Sequence, residues 1–288
     1  MLLVRLSLQR RRLYTAGLLV YLAGLSALSK VPWLGPEITP VMGAFAISAV
    51  AIVICAALIL MAYPLRRLAE TSALGLLTAA AASPEWLFAS PAGLAAAALL
   101  TAVWHVALYG RWWHRLPIRL DWRTSRRFVA PQPAQAVWER LVPDPANPGA
   151  HYSGTYLGQE PVPGRADAVI QRTVAGPGLV QETTLDFEEI SPPRRIAYDY
   201  RSAGGDPAHE YGAGRFELTL DAAPGGTRIT FRETVRDLVA PTAIGLWFDD
   251  FGGEVRRSMH SALTGTCDAT HWLRARRDGA QKIRPSHP

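Results

Sequence analysis

Cysteine and lysine are nearly absent from this chain: two of each in 288 residues, the lysines being Lys30 and Lys282. Two cysteines build no disulfide framework, and with no CxxC pair or Cys/His cluster no metal ion is expected. A Ser/His/Asp arrangement, a glycine-rich phosphate loop and a paired-acid spacing are missing too, so no cofactor is expected and no catalytic constellation is legible. Charged residues make up only 19% of the chain. What is present is a hydrophobic fraction of 49%, which excludes a disordered chain, and a formal net charge of +6.

A basic balance suggests nucleic acid until the charges are placed. Residues 1–123 carry 11 Arg/Lys and 4 Asp/Glu, a net of +7; residues 124–288 carry 19 and 20, a net of −1. The excess lies in the half with the long apolar runs. The other half is nearly neutral and shows no basic stripe, so no nucleic-acid partner is expected.

Leu13–Ser29 offers 17 uncharged residues, Val41–Tyr63 offers 23 and Trp86–Gly110 offers 25. A bilayer core needs about 20 apolar residues as a helix. The shorter run Thr71–Pro84, with 14, becomes a span when extended to Ala89. Arginine placement decides the count, because basic loops stay cytoplasmic. Arg5 with Arg10–Arg12, Arg66 with Arg67, and the series from Arg111 to Arg127 share one side only if there are four spans. These lie at about 13–30, 41–63, 70–89 and 91–110. The chain is then an integral protein of a bacterial inner membrane, with both termini and the C-terminal half cytoplasmic. Trp104, Tyr109, Trp112 and Trp113 supply an interfacial aromatic belt, with His105 beside it.

From Thr124 the pattern changes. Arg126–Val129 reads as a strand and Pro133–Leu141 as a short helix with Ala134, Val137, Trp138 and Leu141 on one face. Period-two stretches follow at Tyr152–Glu160, Ala166–Val174, Leu179–Ile190, Arg195–Ser202, Tyr211–Asp221 and Thr227–Asp237, separated by Gly/Pro turns. Pro241–Phe251 is helical and is broken by Gly252-Gly253. Glu254–Arg277 is a long amphipathic helix, with Val255, Met259, Leu263, Cys267 and Leu273 in its stripe. Residues 278–288 form a polar tail.

This order of strand, helix, six strands and long helix is the plan of a helix-grip fold. The segment Phe128-Val129-Ala130-Pro131-Gln132-Pro133-Ala134-Gln135-Ala136-Val137-Trp138-Glu139 resembles the opening of the polyketide cyclase/START-like (SRPBCC) superfamily. Two extra residues separate its Ala-Pro from its Val-Trp. The hairpin entry Gly225-Gly226-Thr227-Arg228-Ile229-Thr230 before a C-terminal helix is similar to the same superfamily. The resemblance covers about residues 125–277 and implies an antiparallel sheet wrapped around the long helix, with an apolar cavity between them. The expected fold is therefore α+β: an N-terminal four-helix transmembrane bundle over residues 1–123, then a helix-grip domain over 124–277.

The alternation places Leu185 and Phe187; Ile196, Tyr198 and Tyr200; Phe216 and Leu218; and Ile229, Phe231 and Val235 on one face, toward Val255, Met259 and Leu263. Glu233, Thr183, Gln181 and Glu210 are the polar residues in phase with it. The expected ligand contacts are Thr183, Tyr198, Tyr200, Phe216, Phe231, Glu233 and Met259. Glu233 is either a carboxyl with a raised pKa inside the cavity or a strand-end acid paired with an arginine. Gly212 and Gly214 suggest a β-bulge. His151, His209, His260 and His271 are scattered.

Three functions fit. The first is a membrane-anchored module that binds a lipid or other hydrophobic small molecule, its expected partners being that molecule and the bilayer. The second is a cyclase- or dehydratase-type enzyme with Glu233 as acid/base. The third is a scaffold presenting Trp247, Phe248 and Phe251 to a protein.

Overall fold

The computed structural model describes Leu6 and residues 9–29, 39–61, 66–82, 90–143, 145–146, 151, 156–176, 179–203 and 212–265. The chain divides into two compact units, Met1–Pro117 and Ile118–Pro288.

The first unit contains helices α1 (Arg10–Leu28), α2 (Pro40–Met61), α3 (Arg67–Ala82) and α4 (Pro91–Tyr109). Helix α1 packs on α2 and α3, and α3 packs on α4. Small residues set these contacts. Gly17 lies against Ile52, Gly24 against Ala44 and Gly75 against Thr101, while Ala23, Ala27, Ala79, Ala80 and Ala97 form a buried cluster. Close approach through small side chains is how helices pack when apolar burial does not drive association. The outward positions are apolar instead: Tyr14, Leu18, Phe45, Val53, Leu99 and Val106 are all exposed.

Two helices, α2 and α4, are long and apolar enough to cross a membrane. The expectation of four such spans is corrected in this respect. Helix α3 has 16 residues, about 24 Å at 1.5 Å per residue, short of a core of about 30 Å. Its expected extension over 83–89 lies outside the described residues. Helix α1 begins with three arginines, Arg10 to Arg12. Arg12 is fully buried and donates to Glu70, at the start of α3, and to the Arg66 carbonyl at 3.1 Å. The Tyr109 hydroxyl of α4 donates to the same Glu70 oxygen. Past α4, Trp112 and Trp113 stack at 4.4 Å between centroids. Their indole N–H groups donate to the Val106 and Ala107 carbonyls at 2.9 and 2.7 Å, in the last turn of α4, where carbonyls run short of backbone donors; the Val106 carbonyl also takes the Gly110 N–H.

The second unit is α+β: seven antiparallel strands in the order β1-β7-β6-β5-β4-β3-β2. They are β1 (Leu120–Ala130), β2 (Tyr156–Pro161), β3 (Ala168–Gly176), β4 (Leu179–Ser191), β5 (Arg195–Ala203), β6 (Ala213–Ala223) and β7 (Gly226–Leu238). Neighbours in sequence pair as a meander, and β1 closes onto β7. The first strand is longer than the expected Arg126–Val129 and starts before residue 124. Its inward positions Trp122, Thr124, Arg126, Phe128 and Ala130 mix polar with apolar residues, which hid the alternation. Arg123, which the expected strand left out, is a strand residue together with Arg126 and Arg127.

Helix α5 (Ala134–Leu141) buries Val137, Trp138 and Leu141; each such side chain contributes about 1.5–3 kcal/mol. After β7 come α6 (Ala240–Phe248) and α7 (Phe251–Thr264). Val255, Met259 and Leu263 of α7 pack with Tyr198, Phe216, Leu218, Ile229 and Phe231 of the sheet, which is the helix-grip arrangement.

Two helix boundaries differ from expectation. Helix α7 runs through Gly252-Gly253, and the break falls at Asp250, whose φ is +47°. At the far end Gly265 takes φ +67°, the left-handed conformation that commonly stops a helix. The expected helix to Arg277 thus ends at Thr264, with the terminal Leu263 carbonyl accepting from Gln132 at 3.2 Å and Arg140 at 3.4 Å. The expected stripe positions Cys267 and Leu273 lie outside the described residues.

Candidate functional site

Most of the expected ligand contacts are core. Tyr198, Phe216 and Phe231 are 5%, 3% and 0% exposed, and Met259 is 1% exposed. Their rings run across three strands, with Tyr198 to Phe216 at 5.3 Å and Phe216 to Phe231 at 6.1 Å between centroids. These side chains hold α7 on the sheet.

Glu233 differs from them. It sits on β7 between Phe231 and Val235, both 0% exposed, and is itself 8% exposed. The alternative of a strand-end acid paired with an arginine does not hold, because its hydrogen-bond partner is a tyrosine. The Tyr200 hydroxyl donates to Glu233 Oε1 at 3.1 Å, while Oε2 is buried with no hydrogen-bond partner among the described residues. Burial pushes the carboxyl up to about 7, opposed by the Tyr200 hydrogen bond. The group changes charge near neutrality.

Tyr200 reaches Glu233 by crossing β6, and Gly214 permits it. In register, Tyr200 pairs with Gly214, and Gly214 with Val235. A Cβ on Gly214 would stand 2.3 Å from the Tyr200 hydroxyl. The glycine therefore makes room for a ring laid over the sheet; β6 pairs regularly there, and the expected bulge is absent. Opposite Glu233 on β1 stands Thr124, 8% exposed, its Oγ1 also buried without a partner among the described residues. Gly252 of α7 comes so close that a Cβ there would lie 2.2 Å from that hydroxyl. Next along β1, Arg126 donates to Asp250 Oδ1 at 2.8 Å, so the nearest guanidinium on that strand is already engaged.

Thr183 belongs to a second polar row on the same face. Its hydroxyl and that of Ser202 are 3.0 Å apart, and it pairs in register with Gln171 on β3. Gln171 is 7% exposed, and its Nε2 has no partner among the described residues. An apolar row holding Val169 and Leu185 separates these groups from the Phe187–Tyr198–Phe216 row.

Sequence reasoning missed Thr124, Gln171, Ser202 and the role of Gly214. Gln171 is in phase with Val169 and could have been found by period two. Thr124 could not, because only the β1–β7 register brings it to Glu233. Glu210, His209 and His271 lie outside the described residues. His151 stacks on Tyr156 at 4.8 Å and His260 approaches Phe128 at 6.4 Å, neither of them at this site. Among the described residues no group of His, Cys, Asp or Glu could hold a metal ion. The expected aromatic surface is not assembled: Trp247 is 47% exposed, whereas Phe248 is 8% exposed.

No family model and no curated protein matches the chain. Among solved structures, Ara h 8.0201 is similar at 14% identity, over 51% of this chain and 99% of that one, with a TM-score of 0.39. An uncharacterised protein of Rhizobium leguminosarum is similar at 20% identity, over 51% and 99%, with a TM-score of 0.35. Protein CV1439 of Chromobacterium violaceum is similar at 16%, over 49% and 96%, with a TM-score of 0.37.

Proposed function

We propose that the chain is a membrane-anchored helix-grip module that binds a hydrophobic small molecule against the inner face of its sheet. The molecule's polar end is held by Glu233, Tyr200 and Thr124. The observation that carries this reading is Glu233 Oε2, which has no hydrogen-bond partner among the described residues and lies beside the buried Phe216 and Phe231. An orphaned buried carboxylate oxygen costs about 1–3 kcal/mol or more, and a ligand hydroxyl or amine would remove that cost. The anchoring part is supported by the two long apolar helices, by small residues at the helix contacts, and by apolar side chains on the outer faces of α1, α2 and α4.

A second reading is favoured by the same carboxyl. A group near pH 7 in a dry site suits a general acid or base, as a cyclase- or dehydratase-type reaction requires. One experiment separates the readings. The full chain is purified in detergent, extracted under denaturing conditions, and the extract analysed by mass spectrometry. A binding module carries an apolar molecule bearing a hydrogen-bond donor. Glu233→Gln retains it at reduced occupancy, and Glu233→Leu loses it. Extracts of wild type and Glu233→Leu that are indistinguishable would overturn both readings. An extract in which Glu233→Gln accumulates a different, unconverted molecule would favour the enzyme.

A further inference from the structure

The outer face of the sheet is divided by charge. On the β3–β6 side Arg172 is bonded to Glu160 and Glu182, Arg195 to Glu189, and Arg215 to Glu188 and Glu217; Arg201 on β5 is the exception. On the β1–β7 side the outward positions hold Arg123 and Arg127 on one strand and Arg228, Arg232 and Arg236 on the other. Arg236 reaches Asp199 at 3.4 Å. The other four are exposed and have no ion-pair partner among the described residues. Register interleaves them: Arg232 stands opposite Ser125, between Arg123 and Arg127, and Arg228 stands opposite Val129. Six residues of strand make this a row about 20 Å long. Asp121 before the row and Asp221 beside Arg228 are the nearest free acids; Glu217, opposite Arg232, is taken by Arg215. The expectation that the domain has no basic stripe is corrected, because two strands a hundred residues apart build one in register.

Edge strands commonly carry charge to block pairing with other chains. That explains Arg123 and Arg127 on the edge strand β1, but not Arg228 and Arg232 on β7, which is interior. We propose that this face docks on a bilayer surface of anionic phospholipid head groups. The partner follows from three features. The four arginines have no ion-pair partner among the described residues and share the outer face of two paired strands. Ile118, Leu120 and Val129 beside the row are 48%, 41% and 47% exposed, which suits a lipid interface better than a nucleic acid. Only Leu116–Arg119 separate Arg115, the end of the tryptophan-bearing turn, from β1, a tether of about 14 Å at full extension. The inference adds an interaction surface and leaves the ligand site untouched, although it shares the bilayer with the anchoring reading.

The test uses the full chain with Cys55→Ala and Cys267→Ala. An environment-sensitive fluorophore is placed on Ser125→Cys, or on Thr184→Cys on the ion-paired side. Each protein is reconstituted into vesicles of phosphatidylcholine, or of phosphatidylcholine with phosphatidylglycerol, both doped with a nitroxide-labelled head group. The expected result is quenching at position 125 that exceeds position 184 only in phosphatidylglycerol and fades at high salt. Each of the four arginines changed to Gln should weaken the docked state about fivefold. Equal quenching at the two positions, or quenching at 125 that ignores phosphatidylglycerol, overturns the proposal. So does a label at 125 that responds to added duplex DNA and not to lipid charge, which would assign the face to nucleic acid. Failure of the chain to enter either vesicle overturns the anchoring reading. Position 125 would even then report binding of phosphatidylglycerol vesicles from outside, and no response there defeats the docking as well.

Discussion

Among the described residues each unit of this protein buries one glutamate, and the two share a tyrosine partner and an unbonded second oxygen. Glu70 and Glu233 are 1% and 8% exposed. Each accepts a tyrosine hydroxyl on Oε1, from Tyr109 and Tyr200 respectively, and each leaves Oε2 buried without a hydrogen bond among the described residues. The difference is Arg12. Its guanidinium meets Glu70 inside the helix cluster, whereas the partner of Glu233 is a neutral phenol. A carboxylate joined to a guanidinium is neutralised by the fold, and its role is to tie α1, α3 and α4 together. A carboxylate joined only to a phenol must take a proton or a ligand's charge, so it is the one suited to binding or chemistry.

The largest expected effect breaks the first of the pair. Removing one partner of a buried ion pair leaves the other charge uncompensated, at about 3–5 kcal/mol. Glu70→Gln should therefore lower the unfolding midpoint of the detergent-solubilised full chain, and Arg12→Gln should do so by a similar amount. If Glu70→Gln unfolds like wild type, the two glutamates are not different in kind and the comparison fails.

Glu233→Gln should act with the opposite sign. The native carboxyl is raised from 4.5 to about 7, so protonation favours the folded state. Stability is then complete below pH 4.5 and falls as pH rises through 7, by up to about 3 kcal/mol at 1.36 kcal/mol per pH unit. Glu233→Gln removes that slope and is more stable than wild type at pH 8. Urea unfolding of both proteins between pH 5 and 8 measures it; parallel curves would show that Glu233 titrates normally and remove its special standing.

Much of this is legible in the amino-acid sequence. The period-two runs gave six of the seven strands because hydrophobic residues alternate cleanly there, and Glu233 announced itself by standing in phase with Phe231 and Val235. What stayed hidden was long-range. The register of β1 on β7 sets Thr124 beside Glu233 and interleaves Arg123, Arg127, Arg228 and Arg232. Arg12 meets Glu70 across 58 positions. Gly214 looked like a bulge because its purpose, clearance for a tyrosine ring from the neighbouring strand, exists only once the sheet is assembled. The end of α7 at Gly265 was missed because the apolar periodicity continues past it, and periodicity does not register a backbone that turns left-handed.

The smallest effect tests the contact that the two glutamates share. Tyr200→Phe leaves the ring over Gly214 and removes only the hydroxyl. While Glu233 is protonated, the lost bond is between neutral groups, worth about 1 kcal/mol; once it is ionised the bond is charge-assisted, worth about 2 kcal/mol. The variant should accordingly lose about 1 kcal/mol at pH 5 and about 2 kcal/mol at pH 8. That difference of about 1 kcal/mol moves the Glu233 titration upward by about 0.7 in pH, since a hydrogen bond to the charged form had been holding it down. Carbon-13 labelled glutamate, assigned by its absence in Glu233→Gln, reports the midpoint directly by NMR. An upward move would make Tyr200 the group that keeps Glu233 within reach of neutrality. A midpoint that stays put would mean the hydroxyl bonds elsewhere in solution, and Glu233 would then stand without the partner that makes it comparable to Glu70.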